Sequence, residues 1–223
     1  MDWSPILISM RTAGLSIVFT FFMGILAAWM VVRISHPLVK TILDGIFTIP
    51  LVLPPTVAGF FLLYVFGVKR PVGQFFLEYF SVKIAFSWGA TVLAAVVMSF
   101  PLMYRSARGA FEQVDDTLVQ AARTLGMGEW TIFRKVLLAN AVQGVVSGGV
   151  LAFARGLGEF GATAMIAGNI AGKTRTLPMA VYSEVAAGNM EAAYSYVAII
   201  VVIAFLSVFL MNGVMWYSQK KSR

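Results

Sequence analysis

The chain has 223 residues, of which 59% are hydrophobic and only 12% are charged, and its mean hydropathy is +0.84. A soluble domain carries about 25% charged residues, so this composition excludes a soluble enzyme, a nucleic-acid-binding protein and a disordered chain. There is no cysteine and only one histidine, which excludes disulfides and thiolate or histidine-cluster metal sites. We therefore predict a membrane protein that holds no metal and no cofactor.

Five apolar runs follow one another along the chain. A helix needs about 20 apolar residues to cross the hydrocarbon core, where lipid offers no partner to backbone groups. The runs predict an all-α, polytopic transmembrane helical bundle that forms a single domain over residues 1–223. A sixth span would arise if the fourth run breaks near residues 156–161 and re-enters the membrane. The predicted spans are 13–32, 46–68, 84–104, 136–166 and 192–218.

The basic residues between these spans predict the orientation of the chain. Loops on one side, including segment 105–135 and the C-terminus, carry ten Lys and Arg residues, whereas loops on the other side carry six. Loops rich in Lys and Arg remain on the cytoplasmic side of a membrane. The predicted N-terminus is therefore outside, and segment 105–135 and the C-terminus are cytoplasmic. The net charge of +7 follows from this topology and not from nucleic-acid binding.

The second span contains Pro50, Pro54 and Pro55. Each proline lacks an N–H and frees a carbonyl upstream, so the helix must kink or break here. In lipid the freed groups need partners from neighbouring protein or from water. One interpretation is a packing kink. The other is that Pro54, Pro55 and Thr56 line a path through the membrane or form a gate.

Segment 105–135 is the most polar part of the chain and contains a predicted short helix. Asp115 or Asp116 can cap its N-terminus, and Gly126 can end it in the left-handed conformation. We interpret the segment either as a surface helix at the lipid interface or as a helix that docks into a groove on a partner protein. A narrow apolar stripe is expected at Leu118, Ala122 and Leu125.

Arg155 and Glu159 are the only ionisable residues deep within an apolar run. Charged side chains at such depth are costly, and they face a bundle interior or a water-filled path. Neighbouring glycines, including Gly161, leave the backbone free to bend. The two residues are therefore either a structural ion pair that locks helices together or part of a path or gate.

Four stretches, at 49–59, 121–126, 152–162 and 174–178, read IPLVLPPTVAG, AARTLG, AFARGLGEFGA and TRTLP. Together they closely resemble the molybdate permeases of bacterial ABC importers, those of the ModB type, and the similarity extends from about residue 5 to residue 216. The short cytoplasmic signature of importer permeases is matched at the right spacing by Ala121, Ala122, Gly126 and Leu138. It is not matched by Gln120, Val136 and Ala139.

This resemblance implies a type I ABC importer permease fold in the cytoplasmic membrane. It implies translocation of molybdate or tungstate by alternating access, in a homodimer with two cytoplasmic ABC ATPase subunits and an extracytoplasmic molybdate-binding protein. In the path interpretation of the two charged residues, Arg155 helps a dianion across and Glu159 fixes the pose of Arg155, with Gly161 nearby in the path or gate. The implied ATPase-coupling residues are Leu118, Gln120, Ala121, Ala122, Arg123, Thr124, Leu125 and Gly126.

Three alternatives to a molybdate permease remain at this point. A sulfate-type oxyanion permease shares parts of the pattern. A self-contained channel or secondary transporter would carry ions without ATP, and a membrane scaffold would carry none. The chain has neither a Gly-rich phosphate loop with a Lys nor a catalytic constellation, so we expect no enzymatic activity and ATP hydrolysis by a separate subunit.

Overall fold

The computed structural model describes residues 2–221, and every regular element in this range is a helix. The predicted cytoplasmic C-terminus, at residues 222 and 223, lies outside the described residues. The elements are α1 (Ser4–Val32), α2 (Pro37–Val52), α3 (Pro55–Phe66), α4 (Pro71–Phe80), α5 (Trp88–Glu112), α6 (Asp116–Thr124), α7 (Glu129–Ile132), a π-helical segment (Phe133–Leu137), α8 (Leu138–Leu157), α9 (Gly161–Ile166), α10 (Leu177–Ala186) and α11 (Met190–Lys221).

Four helices in the described range are long and apolar enough to cross a membrane, and a fifth span arises if the bent pair α2 and α3 is counted as one. The prediction of an all-α bundle with about five spans is confirmed. By itself α9 is too short for a sixth span, because its six residues rise only about 9 Å. The four continuous helices are Ser4–Val32, Trp88–Glu112, Glu129–Leu157 and the part of α11 over Met190–Leu210.

The helices extend beyond the apolar runs that predicted them. The first begins at Ser4, before residue 13, and α5 continues to Glu112, beyond residue 104. The next membrane helix begins at Glu129. The segment between these two membrane helices is therefore 113–128, which is shorter than the predicted 105–135. Charged residues mark where a chain leaves the apolar core, but a helix continues into the polar interface as long as its backbone hydrogen bonds do.

Parallel packing of α1 and α5 forms the centre of the bundle. The hydroxyls of Thr12 and Thr91 lie 2.9 Å apart, and those of Thr20 and Ser99 lie 3.0 Å apart, all four buried. The constant offset between the paired residues means that the two helices run in the same direction. Hydroxyl pairs of this kind help to hold helices together in lipid, where the hydrophobic effect supplies no driving force for their association.

Helix α8 runs antiparallel to α5 at very close approach. A Cβ at Gly144 would lie 2.6 Å from the Cβ of Ala110, and one at Gly148 would lie 2.5 Å from the Cβ of Ser106. Only glycine fits at such distances. The small-residue spacing at these two glycines thus packs helices together, as small-xxx-small patterns do.

The bundle has two ends, which we call the α6 end and the α10 end. At the α10 end the Tyr196 hydroxyl donates to the Asp2 carbonyl at 2.8 Å, and the Leu177 N–H donates to the Ser9 hydroxyl at 2.7 Å. At the α6 end Lys40 pairs with Glu112 at 3.0 Å. The predicted extracytoplasmic and cytoplasmic loops therefore segregate to opposite ends of the bundle.

Candidate functional site

The break between α2 and α3 bends the chain by 110°. Leu53 and Pro54 are extended, with ψ of 141° and 135°. The carbonyl of Pro54 accepts hydrogen bonds from the N–H groups of Val57 at 2.9 Å and Ala58 at 3.1 Å, and so begins α3. The predicted break at the prolines is confirmed.

A second break separates α8 from α9. Helix α8 ends at Leu157, and the Gly158 N–H closes the last turn on the Ala154 carbonyl at 3.1 Å. The carboxylate of Glu159 then accepts from the Ala162 N–H at 2.7 Å, which satisfies one of the free donors at the start of α9. A buried acid thus fixes the direction in which the chain leaves the break.

The two breaks are packed against each other. A Cβ at Gly161 would lie 2.8 Å from the Cβ of Pro55 and 3.1 Å from the backbone nitrogen of Thr56. A Cβ at Gly59 would lie 2.6 Å from the Cα of Ala162. The absence of both side chains therefore lets the backbones of α3 and α9 touch, and it brings five predicted path residues into one region: Pro55, Thr56, Arg155, Glu159 and Gly161.

This region lies near the middle of the bundle along the helix axes. A Cβ at Gly156, one residue before the end of α8, would lie 3.2 Å from the hydroxyl of Ser16, which is close to the midpoint of α1. Irregular backbone at that depth is tolerated only where protein or a water-lined cavity surrounds it. Pro54 and Thr56 are exposed and Pro55 is half-buried, so part of the α2–α3 break faces outward from the single chain.

Arg155 and Glu159 form an ion pair, with Arg155 Nη1 and Glu159 Oε2 2.6 Å apart. The Glu159 side chain is only 2% exposed, whereas that of Arg155 is 26% exposed. The carboxylate is held by Arg155 and by the backbone of α9, and the guanidinium keeps part of its surface free. The arrangement can present a positive charge to an anion without leaving a buried charge unpaired.

Helix α6 forms at the other candidate site, and the local predictions for it are confirmed. The Asp115 carboxylate accepts from the Thr117 N–H at 2.9 Å, and this hydrogen bond lowers the pKa of Asp115. Gly126 adopts φ of +73°, and its N–H donates to the Arg123 carbonyl at 2.9 Å. Both ends of α6 are therefore determined by residues within the segment.

Most of α6 is exposed, and the expected apolar stripe is not a single buried face. Ala122 is buried, but Leu118 and Leu125 are 46% and 80% exposed. The stripe at Leu118, Ala122 and Leu125 stays a prediction, because a face that docks on a partner would be exposed in the single chain. The remaining predicted coupling residues are also exposed: Gln120, Ala121, Arg123, Thr124 and Gly126.

Sequence reasoning missed the ionic contacts at the α6 end. Arg108 of α5 pairs with Asp44 of α2 and with Glu112, whose Oε1 lies 3.0 Å from Arg108 Nε. The i,i+4 spacing of Arg108 and Glu112 is visible in the sequence, but their contacts with α2 depend on how the helices pack. A second set of contacts joins α6 to α1 through Glu129. No group of three or more His, Asp or Glu that could hold a metal lies within residues 2–221.

The family description "Binding-protein-dependent transport system inner membrane component" matches residues 20–223. The molybdenum transport system permease protein ModB of Escherichia coli (strain K12) is 41% identical over 222 residues, which cover 99% of this chain and 96% of that protein. The putative molybdenum transport system permease protein YvgM of Bacillus subtilis (strain 168) is 41% identical over 211 residues, covering 94% and 92%. A chain of the inward-facing MetNI methionine ABC transporter has the same fold, with a TM-score of 0.75, 18% identity and coverage of 97% of both chains.

Proposed function

Because the chain belongs to the binding-protein-dependent transport system inner membrane component family, which makes it a multi-pass inner-membrane protein, we propose that it is the permease of an ATP-driven molybdate importer. Molybdate is proposed as the substrate because the chain is 41% identical to ModB over nearly the whole of both chains. Tungstate has the same charge and shape as molybdate and is expected to share the path.

The proposed partners come from the resemblance to importer permeases, and the exposure of α6 supports one of them. Helix α6 and the residue that follows it present exposed Gln120, Ala121 and Leu125, which suits insertion into a groove on another protein. We assign that groove to a cytoplasmic ATPase subunit, one for each permease in a homodimer. An extracytoplasmic binding protein delivers the oxyanion at the α10 end, and the N-terminus lies on that side.

The proposed path passes the paired helix breaks at mid-depth. Arg155 attracts the dianion there, and its pairing with Glu159 keeps the attraction weak enough for release, which any transport path requires. ATP binding closes the ATPase subunits and moves α6, and the bundle opens toward the binding protein. Hydrolysis returns it to the inward-facing state. The ATPase must bind one of these two states better, because only differential affinity shifts an equilibrium.

Reconstitution tests the proposal. The permease, the ATPase and the binding protein are placed in liposomes, and uptake of molybdate is measured with and without ATP. Uptake that needs ATP and the binding protein supports the proposal. Flux through the permease alone would instead identify a channel or secondary transporter, and a substrate preference for sulfate over molybdate in the same assay would reassign the cargo.

A further inference from the structure

Helix α6 is held to the bundle by little apolar packing. Ala122 is its one buried residue. A cavity of about 490 Å³ lies beside α6, and its walls come from α1, α2, α5, α6, α7 and the π-helical segment. Besides the short chain segments at its two ends, α6 is therefore connected to the membrane helices by the contacts that bridge this space.

The Glu129 carboxylate forms such a bridge, because it binds two guanidinium groups at once. Arg123, in the last turn of α6, places its Nε 2.9 Å from Glu129 Oε1. Arg33, directly after the end of α1, places its Nη2 3.2 Å from Glu129 Oε2. Side chains from α6, α7 and α1 thus form one continuous ionic chain.

At its Arg33 end, this series of ion pairs contacts an aromatic cluster. The Arg33 guanidinium lies over the Trp29 ring at 4.8 Å from its centroid. Trp29 in turn contacts Phe133 of the π-helical segment at 4.7 Å and Trp130 of α7 at 5.8 Å between ring centroids. A force applied through Arg33 therefore acts on the end of α1 and on the helical turn where α8 begins.

These ion pairs are too exposed to be needed for folding. The side chains of Arg33, Arg123 and Glu129 are 42%, 53% and 40% exposed, and pairs with this exposure contribute little to stability. Their geometry nevertheless links α6 to the end of α1 through direct side-chain contacts. Without the carboxylate, the two guanidinium groups would face each other and repel.

We propose that Glu129 is a positioning residue that transmits the movement of α6 to α1 through Arg33. The inference rests on the proposed contact between α6 and an ATPase subunit. The inference predicts that ATPase binding and the coupling of ATP hydrolysis to transport can be separated, because Glu129 and Arg33 lie outside α6. Binding of the ATPase should survive their substitution, whereas the conversion of ATP hydrolysis into transport should not.

Arg33→Gln and Glu129→Gln test this in the complete complex of permease, ATPase and binding protein in liposomes. For each variant we expect the ATPase to co-purify normally and to continue hydrolysing ATP. Molybdate transported per ATP hydrolysed should fall about five-fold or more, the range of typical coupling between sites. Arg33→Lys keeps the charge and should restore most of this ratio, whereas a loss caused by misfolding would not depend on charge.

Arg134→Gln is the matched control, since Arg134 is an exposed cation of the π-helical segment at the same end of the bundle. It should keep the wild-type ratio. A wild-type ratio in Arg33→Gln or in Glu129→Gln would overturn the inference, as would loss of the ATPase from either complex. If the wild-type complex shows no ATP-dependent uptake, the proposed function itself fails.

Discussion

Arg155 and Glu159 differ in exposure although they form one ion pair, and this difference separates their roles. The Glu159 carboxylate is buried between Arg155 and the start of α9. Removing a single partner from such a pair costs about 3–5 kcal/mol in a protein interior, because the remaining charge is left uncompensated. A single substitution at either position therefore changes both the stability of the protein and its transport activity. A double variant that removes both charges separates the two effects.

Transport by Arg155→Gln should fall at least about ten-fold, since both the charge at the path and the compensation of Glu159 are lost. The double variant Arg155→Gln with Glu159→Gln removes both charges and should recover thermal stability in detergent. Uptake by the double variant should remain low if Arg155 attracts the anion. Wild-type uptake by the double variant would leave the pair with a structural role only.

Gly59 has a steric role that its neighbours in α3 do not share. The Cβ of a Gly59→Ala variant would lie 2.6 Å from the backbone of Ala162, so α3 and α9 would have to separate. Overpacking of this kind costs about 1–3 kcal/mol. We expect a lower unfolding temperature in detergent. Gly45→Ala is the control, because no atom lies within 4 Å of the added carbon in α2, and its stability should be unchanged or higher.

At the scale of elements, α6 is the part of the molecule most completely determined by local sequence. Asp115 caps it, Arg123 lies in its last turn, and Gly126 ends it. All three interactions form within about a dozen residues, so no distant contact is needed for the helix to exist. Its exposed surface is what remains for a partner to bind.

Ala121→Asp should detach the ATPase or uncouple it while the permease remains in the membrane. Ala121 is exposed on α6, so the substitution adds a charge to the proposed contact without disturbing the fold. ATPase co-purification and substrate-stimulated hydrolysis measure the effect. Gln74→Asp, at an exposed position of α4, is the control and should leave both unchanged. Normal values for Ala121→Asp would contradict the assigned role of α6.

At the scale of the whole molecule, the segregation of loops to two ends makes the orientation testable. The chain has no cysteine, so single cysteines can be introduced without background. Lys173→Cys, at the α10 end, should react with a membrane-impermeant maleimide in intact cells. Gly128→Cys, beside α6, should react only after permeabilisation. Both native positions are exposed. The opposite labelling pattern would reverse the orientation predicted from the Lys and Arg counts.

The sequence by itself determined the class, the number of spans and the local form of α6. Apolar runs, prolines and capping residues act through contacts close along the chain, so their consequences can be read from a single sequence. The break at Pro54 is of this kind. Resemblance to a known family added the cargo and the partners, which no local pattern contains.

Only the tertiary structure decided which of these features meet. Gly161 lies against Pro55 although more than one hundred residues separate them in the chain, and Glu129 joins Arg123 to Arg33 only because α1 and α6 reach the same end of the bundle. Such contacts depend on helix direction and packing distance. Those are set jointly by hydroxyl pairs, glycine contacts and aromatic clusters from the whole chain, so no single segment of the sequence encodes them.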